Sequence, residues 1–437
     1  MESPPLRNIF TANEINDAMF KRLNALSADK KRLADNVFSL SLLQAANYLL
    51  PLIAIPYLVR MLGAERFGAV MFAQALIQYF ILFSDFGFNL SAPREIAIQR
   101  DDHQAVNTIF NGVLWNKLLL GSAGFAVLLG LVLAVPRFRQ DVWLYILTFG
   151  MVYGNALFPQ WFFQGMERMR FITLLNILAK SVFTFSLFLF VHRPADYLRV
   201  PILNSAGYLI AGGVGIYLAV TRFGMTLQFP GIATLRHLLK DSAQFFLSRL
   251  SVSLYTTSNA FVLGLFTNNT IVGYYTAAEK LYIALQSAYQ PLVNALYPYV
   301  ARYRNVRFFK KIFYFATSAN VLICVLLIAA APWIIQLLYG SKMVPSIAVF
   351  RLLILVAVVV VPSILLGYPF LAALDFPQYA NGTVVLGSVV HLTGLTLLAI
   401  TEHVTLTTVP LLLAITESTV FFSRVGAVMK FNLWRTP

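Results

Sequence analysis

Twelve apolar runs follow one another along this chain with only short polar joints between them. Crossing roughly 30 Å of hydrocarbon takes about 20 residues at helical rise. The runs that meet this length fall at approximately 36–59, 66–88, 111–135, 142–163, 171–191, 198–221, 243–266, 271–299, 310–338, 345–371, 378–400 and 404–428. With 437 residues, 59% of them hydrophobic and 12% charged, the chain holds more apolar surface than one soluble core could bury. The expected fold is an all-α polytopic membrane protein of about twelve transmembrane helices.

Residues 1–35 are polar and the first apolar run is already of spanning length, so a cleavable signal is not expected. The joints leave no room for a catalytic or nucleotide-binding domain, and no GxxxxGK[ST] loop occurs. Cys324 stands alone and the five histidines show no ligand spacing, so no disulfide, metal site or cofactor is expected. The net charge of +15 does not point to nucleic acid, because its distribution is that of a membrane protein. With the N-terminus inside, inner segments hold 21 Lys and Arg against 7 outside, which places both termini in the cytoplasm. The basic run Arg302, Arg304, Arg307, Lys310 and Lys311 then reads as a topology anchor beside anionic membrane lipids.

Sliding the sequence on itself by 205 residues sets Gly68 on Gly273, Gln74 on Glu279 and Gln44 on Arg249. A unit of six spans returns the chain to its starting side, so two such units form parallel repeats about an axis along the membrane normal. The expected division is a cytoplasmic segment 1–35, a first lobe 36–224 and a second lobe 225–437, the two six-helix lobes enclosing a central cavity.

Span eight carries the broadest polar face. Tyr275, Glu279, Tyr282, Gln286 and Tyr289 recur at spacings of four and three, and beside them run Thr276, Lys280, Ser287, Gln290 and Asn294. Polar groups facing hydrocarbon each cost several kcal/mol, so this face is expected to line water or a polar ligand; the bland alternative is a hydrogen-bonded seam between helices. Span two offers a thinner stripe of Gln74, Gln78 and Asp85. Span seven adds Arg249, Ser253, Thr256 and Thr257, and span one adds Gln44, Asn47 and Tyr48 ahead of Pro51 and Pro56.

Five cations lie inside the runs: Lys117, Lys180, Arg249, Lys280 and Arg351. Lys180 and Lys280 sit about 15 Å from an edge, beyond easy reach of the headgroups, and are the expected substrate contacts. Arg249 and Lys117 lie about 9 Å from the inner edge. Arg249, among polar neighbours, reads as a gate-side substrate contact, while Lys117 stays open between a substrate contact and an interface anchor. Arg351, near the outer end of its run, reads as an anchor. The in-span acids Glu279, Glu417 and Asp85 are candidates to carry a coupling ion or proton, although Asp85 reads more simply as a structural partner of nearby backbone amides or of Arg94.

Residues 47–100 hold Pro56-Tyr57-Leu58-Val59-Arg60, Leu62-Gly63, Phe67-Gly68, Asp85-Phe86-Gly87-Phe88 and Arg94-Glu95-Ile96-Ala97. This stretch resembles the N-terminal signature of polysaccharide transporters, the Wzx-type flippases within the multidrug/oligosaccharidyl-lipid/polysaccharide exporter superfamily. The resemblance implies movement of an undecaprenyl-diphosphate-linked oligosaccharide, such as an O-antigen unit, from the cytoplasmic to the periplasmic leaflet of the inner membrane. It also implies a cationic central cavity and, in some members, ion or proton antiport. Candidate protein partners are a polysaccharide polymerase and its chain-length machinery.

The residues agree with that implication, since a diphosphate calls for cations and a glycan for Tyr, Gln and Asn. A multidrug antiporter of the same superfamily would call for acids in the cleft, yet in-span bases outnumber acids. A flippase of lipid-linked peptidoglycan precursor shares the diphosphate and stays open as an alternative. A glycan polymerase would need a large outer loop for its chemistry, so a transporter rather than an enzyme is expected.

Overall fold

The structure, a computed structural model, describes residues 50–434, the side chains of residues 247–249, 251–252 and 254–256 excepted. The expected span one therefore enters only with its second half, and Gln44, Asn47 and Tyr48 lie outside the described residues, as does the segment 1–35. Among the described residues every regular element is helical.

The first lobe comprises α1 (50–85), α2 (Phe88–Ile98), α3 (His103–Ala134), α4 (Val142–Leu157), α5 (Gln160–Gly165), α6 (Met169–Phe190) and α7 (Arg199–Phe223). The second comprises α8 (Ile232–Phe266), α9 (Asn269–Ser287), α10 (Gln290–Tyr303), α11 (Val306–Tyr339), α12 (Ser346–Leu366), α13 (Pro377–Ile400) and α14 (Thr408–Lys430). Among the described residues nine helical stretches are long and apolar enough to cross a membrane. Where they are described, the expected runs fall on helices. The counts differ partly because 50–98 forms one continuous stretch and partly because α8 and α9 are not among the nine. Within α1 the turn between spans one and two falls at Gly63, which takes φ +71.

Each lobe is a bundle with its own seams: α4 and α6 pack on α7 in the first, and α9, α11 and α14 pack on α12 in the second. The lobes meet on the face expected outside, where α1 crosses the start of α9. There Gly68 faces the Asn269 carbonyl and Gly273 faces that of Ala64, with no room for a Cβ at either glycine. Ala64 and Asn269 are themselves 205 residues apart, so the contact is isologous: each residue meets the repeat partner of its own neighbour. Small residues four apart permit such close backbone crossing in membranes.

On the opposite face the start of α8 leaves its own lobe and lies against α2 and α3. Ser91 and Ser242 hydroxyls pair at 2.7 Å, Asn116 donates to the Leu235 carbonyl at 3.2 Å, and Phe86 stacks on Phe246 with ring centroids 4.6 Å apart. The Asp85-Phe86-Gly87-Phe88 signature forms this junction. Gly87 takes φ +82 and sits so near the Phe246 backbone nitrogen that an added Cβ would stand 2.8 Å from it.

Candidate functional site

A cavity of about 270 Å³ is walled by α1, α4, α6 and α7 of the first lobe and reaches Lys280 of the second. Its polar lining is Gln74 from α1, Lys180 and Thr184 from α6, Asn204 and Tyr208 from α7, and Lys280 from α9. Lys180 sits midway along α6 with Thr184 one turn on, and Asn204 and Tyr208 are likewise one turn apart, so each helix offers a short polar stripe in an apolar length. The two deep cations thus share one cavity, Lys180 on the first lobe and Lys280 on the second. Thr184, Asn204 and Tyr208 were not singled out from sequence; the Asn204–Tyr208 spacing within an otherwise apolar run was the available signal.

Beside this cavity lies a second of about 180 Å³, lined mainly by apolar residues of α1 and α9, with Tyr339 of α11. Lys280, Pro51 and Ile55 line both. Leu52 and Ile283, on the walls of the second cavity, are 39% and 43% exposed, so it opens to the surface of the helices. Lys280 therefore borders two mainly apolar chambers, the larger of which adds Gln74, Lys180, Thr184, Asn204 and Tyr208 to its lining.

Other residues named from the sequence lie elsewhere in the structure. Tyr275, Tyr282 and Gln286 do not line the central cavity. Tyr275 is fully buried and turns toward Glu279 and Asn259 without closing a hydrogen bond of good geometry. Tyr282 is 5% exposed and accepts from Gln286 at 2.6 Å. This stripe of α9 is the seam inside the second lobe, and the adjacent stripe with Lys280 and Ser287 meets the chambers. The same lobe interior holds His391, whose ring nitrogens lie 2.9 Å from Asn259 and 3.0 Å from Thr416, tying α8, α13 and α14 together. Gln78 is exposed and lies outside the cavity lining.

Lys117 neither reaches the headgroups nor lines the cavity: it is 1% exposed, with its Nζ 3.2 Å from Asp85. Asp85 thus pairs with Lys117 rather than Arg94. Arg351 is exposed, as an anchor would be, and its Nε donates to the Ile328 carbonyl at 3.3 Å. That carbonyl is left open because Pro332, four residues on, has no N–H. Glu417 lies within the electrostatic reach of Arg424 on the same helix. The Arg249 side chain is outside the described residues, although its backbone belongs to α8. Arg424 is 7% exposed and donates to the Ser363 carbonyl at 2.7 Å and the Thr383 hydroxyl at 3.1 Å.

Two helical lobes around a central cavity define the class: a membrane transporter of the multidrug/oligosaccharidyl-lipid/polysaccharide exporter fold. The fold is shared with an inward-facing multidrug resistance transporter of that superfamily at TM-score 0.66, 12% identity, over 88% of this chain and 95% of the other. It is shared too with the lipid II flippase MurJ in an inward closed conformation at TM-score 0.68, 12% identity, over 90% and 87%. The chain belongs to the family of polysaccharide biosynthesis proteins, which it matches over residues 33–304, and within it to the Wzx-type polysaccharide transporters. Two relatives named "Putative O-antigen transporter" are similar to it. One, from Escherichia coli strain K12, is 32% identical over 73% of this chain and 76% of its own length. The other, from Shigella dysenteriae, is 28% identical over 82% and 90%.

Proposed function

We propose that this transporter flips an undecaprenyl-diphosphate-linked oligosaccharide, an O-antigen unit or similar, from the cytoplasmic to the periplasmic leaflet by alternating access. The observation that carries the reading is the position of Lys280. A lipid-linked glycan is polar at its sugars, anionic at its diphosphate and apolar along its tail, in that order. The two chambers and the cation between them follow the same order: Gln74, Asn204 and Tyr208 suit sugar hydroxyls, Lys180 and Lys280 suit the diphosphate, and the open apolar chamber suits the first prenyl units. The names of the two relatives support the substrate class. Both termini are taken as cytoplasmic and the membrane as the bacterial inner membrane, with the lobes divided at 224/225.

In this reading Arg249 is the gate-side contact and the lobes rock about the axis marked by Gly68 and Gly273. Ion or proton coupling is assigned to Glu279 and Glu417 inside the second lobe, Asp85 being held by Lys117. A polymerase and its chain-length machinery would take the product on the outer side. The test is Lys180→Gln with Lys280→Gln in cells. Lipid-linked glycan reaching the outer leaflet is expected to fall at least about tenfold, or roughly 1.4 kcal/mol, with the amount of folded protein unchanged. Unimpaired export by that double variant would remove both lysines from the site.

A further inference from the structure

A third chamber, of about 740 Å³, opens on the face expected outside. Its walls are residues 59–66 at the α1 turn, the Tyr339–Met343 segment after α11, and Pro194. Arg60, Arg66 and Lys342 line it with one acid, Glu65. Cations are few on this face, and the others are engaged elsewhere. Arg193 and Arg199 pair with Asp196 at 3.6 and 3.1 Å, Arg137 donates to Asn269 at 2.8 Å, and Arg139 donates to the Leu133 carbonyl. Arg60 is fixed by donating to the Leu338 carbonyl at 2.9 Å and to that of Leu337, and Arg66 by lying 4.5 Å above the Tyr197 ring. Among the described residues no ion pair engages Arg60, Arg66 or Lys342.

Tyr339 lines both this vestibule and the apolar side chamber that holds Lys280. The residue is 3% exposed, and its hydroxyl donates to the Ala277 carbonyl at 2.9 Å. Ala277 stands three residues outward of Lys280 on α9, about 4.5 Å along the axis. One aromatic ring thus divides two cationic stations.

We infer that the vestibule is a release site for the phosphate-bearing end of the translocated lipid, contacted by Arg60, Arg66 and Lys342, with Tyr339 as the movable partition between it and Lys280. The inference rests on the flippase reading. A phosphate held by a lysine in a low-dielectric interior is bound too strongly to leave unaided, because charge pairs weaken about in proportion to the dielectric around them. Cations in an open, wet vestibule offer a weaker partner, screened by salt, from which departure is easy. Arginine also keeps free N–H donors in a fork that suits phosphate oxygens even after it has spent two on carbonyls.

The test takes the full chain with Cys324, itself fully buried, changed to Ser. The protein is placed in sealed right-side-out vesicles, with a membrane-impermeant maleimide added outside. With Ser341→Cys as reporter, inorganic diphosphate at ten times its Kd should slow labelling about tenfold. Arg66→Gln with Lys342→Gln should abolish that protection, and Lys342→Gln alone should weaken it. Protection that survives the double variant overturns the assignment. So does equal protection by phosphatidylglycerol vesicles without diphosphate, which would make this an ordinary headgroup site. With Ser287→Cys as reporter in the side chamber, Tyr339→Ala should raise labelling from outside at least about tenfold; equal rates with Tyr339 intact would remove the partition. Neither readout depends on export. Loss of export in Lys180→Gln with vestibule protection intact supports both readings. Normal export in that variant with protection intact strikes the central site alone.

Discussion

Gly68 and Gly273, 205 residues apart, meet where α1 and α9 cross backbone to backbone. Each leaves the other's helix no space for a side chain. A residue touches its own two-fold mate only beside the axis, so this pair marks it. Gly273→Val should hold the lobes apart on the outer face. A cysteine at Asn269 should then be labelled from outside several-fold faster, and export should fall, while each bundle keeps its own packing. Unchanged labelling together with normal export would mean the contact is no seal.

Asp85 and Lys117 form an ion pair that is 5% and 1% exposed at its two side chains. Removing one partner of such a pair strands a charge and costs about 3–5 kcal/mol, whereas replacing both by apolar groups is often close to neutral. Lys117→Met should therefore lower the thermal midpoint in detergent sharply, and Asp85→Leu with Lys117→Met should recover most of the loss. A double variant as unstable as the sum of the singles would show that the pair is not coupled. This pairing is also why the charged residue of the Asp85-Phe86-Gly87-Phe88 signature belongs to the frame and not to the cavity.

The bundle was legible because spanning length and hydropathy act over whole segments, which a linear reading sees directly. Depth along a run is equally linear, and it separated Lys180 and Lys280 from the other cations. Which face of α9 turns inward was not legible: periodicity shows that Tyr275, Glu279 and Tyr282 share a face, and only the packing of α8, α12 and α13 decides where that face points. Lys117 could not be placed alone, because its partner lies 32 residues away on another helix. Arg424 escaped because it sits one turn from the end of its run, where depth and tail look alike. Asn204 and Tyr208 carry no charge and so drew no attention in a Gly-rich helix.

Arg351 and Pro332 make a separable prediction. The proline opens the Ile328 carbonyl and the arginine closes it at 3.3 Å. Arg351→Met should cost about 1 kcal/mol, small because the guanidinium is exposed. With Pro332→Ala restoring the helical N–H, the same change should cost little. Equal losses in the two backgrounds, measured by thermal unfolding, would show that Arg351 serves the membrane surface and not the carbonyl.

Arg424 tests whether charge or shape holds the C-terminal end of the second lobe. The Arg424 Nη1 reaches both the carbonyl and the hydroxyl of Ser363, at 2.7 and 3.2 Å, while Nε reaches Thr383, so one planar group joins α12, α13 and α14. Gly367 leaves room for it, since an added Cβ there would stand 3.0 Å from the guanidinium carbon. A lysine keeps the charge but presents its donors from a single nitrogen and cannot span those directions. Each hydrogen bond to a charged group is worth about 1.5–3 kcal/mol, so Arg424→Lys should lose at least one such increment and approach Arg424→Ala in thermal stability. A lysine variant as stable as the parent would mean that positive charge beside Glu417, rather than the fork, is what α14 requires.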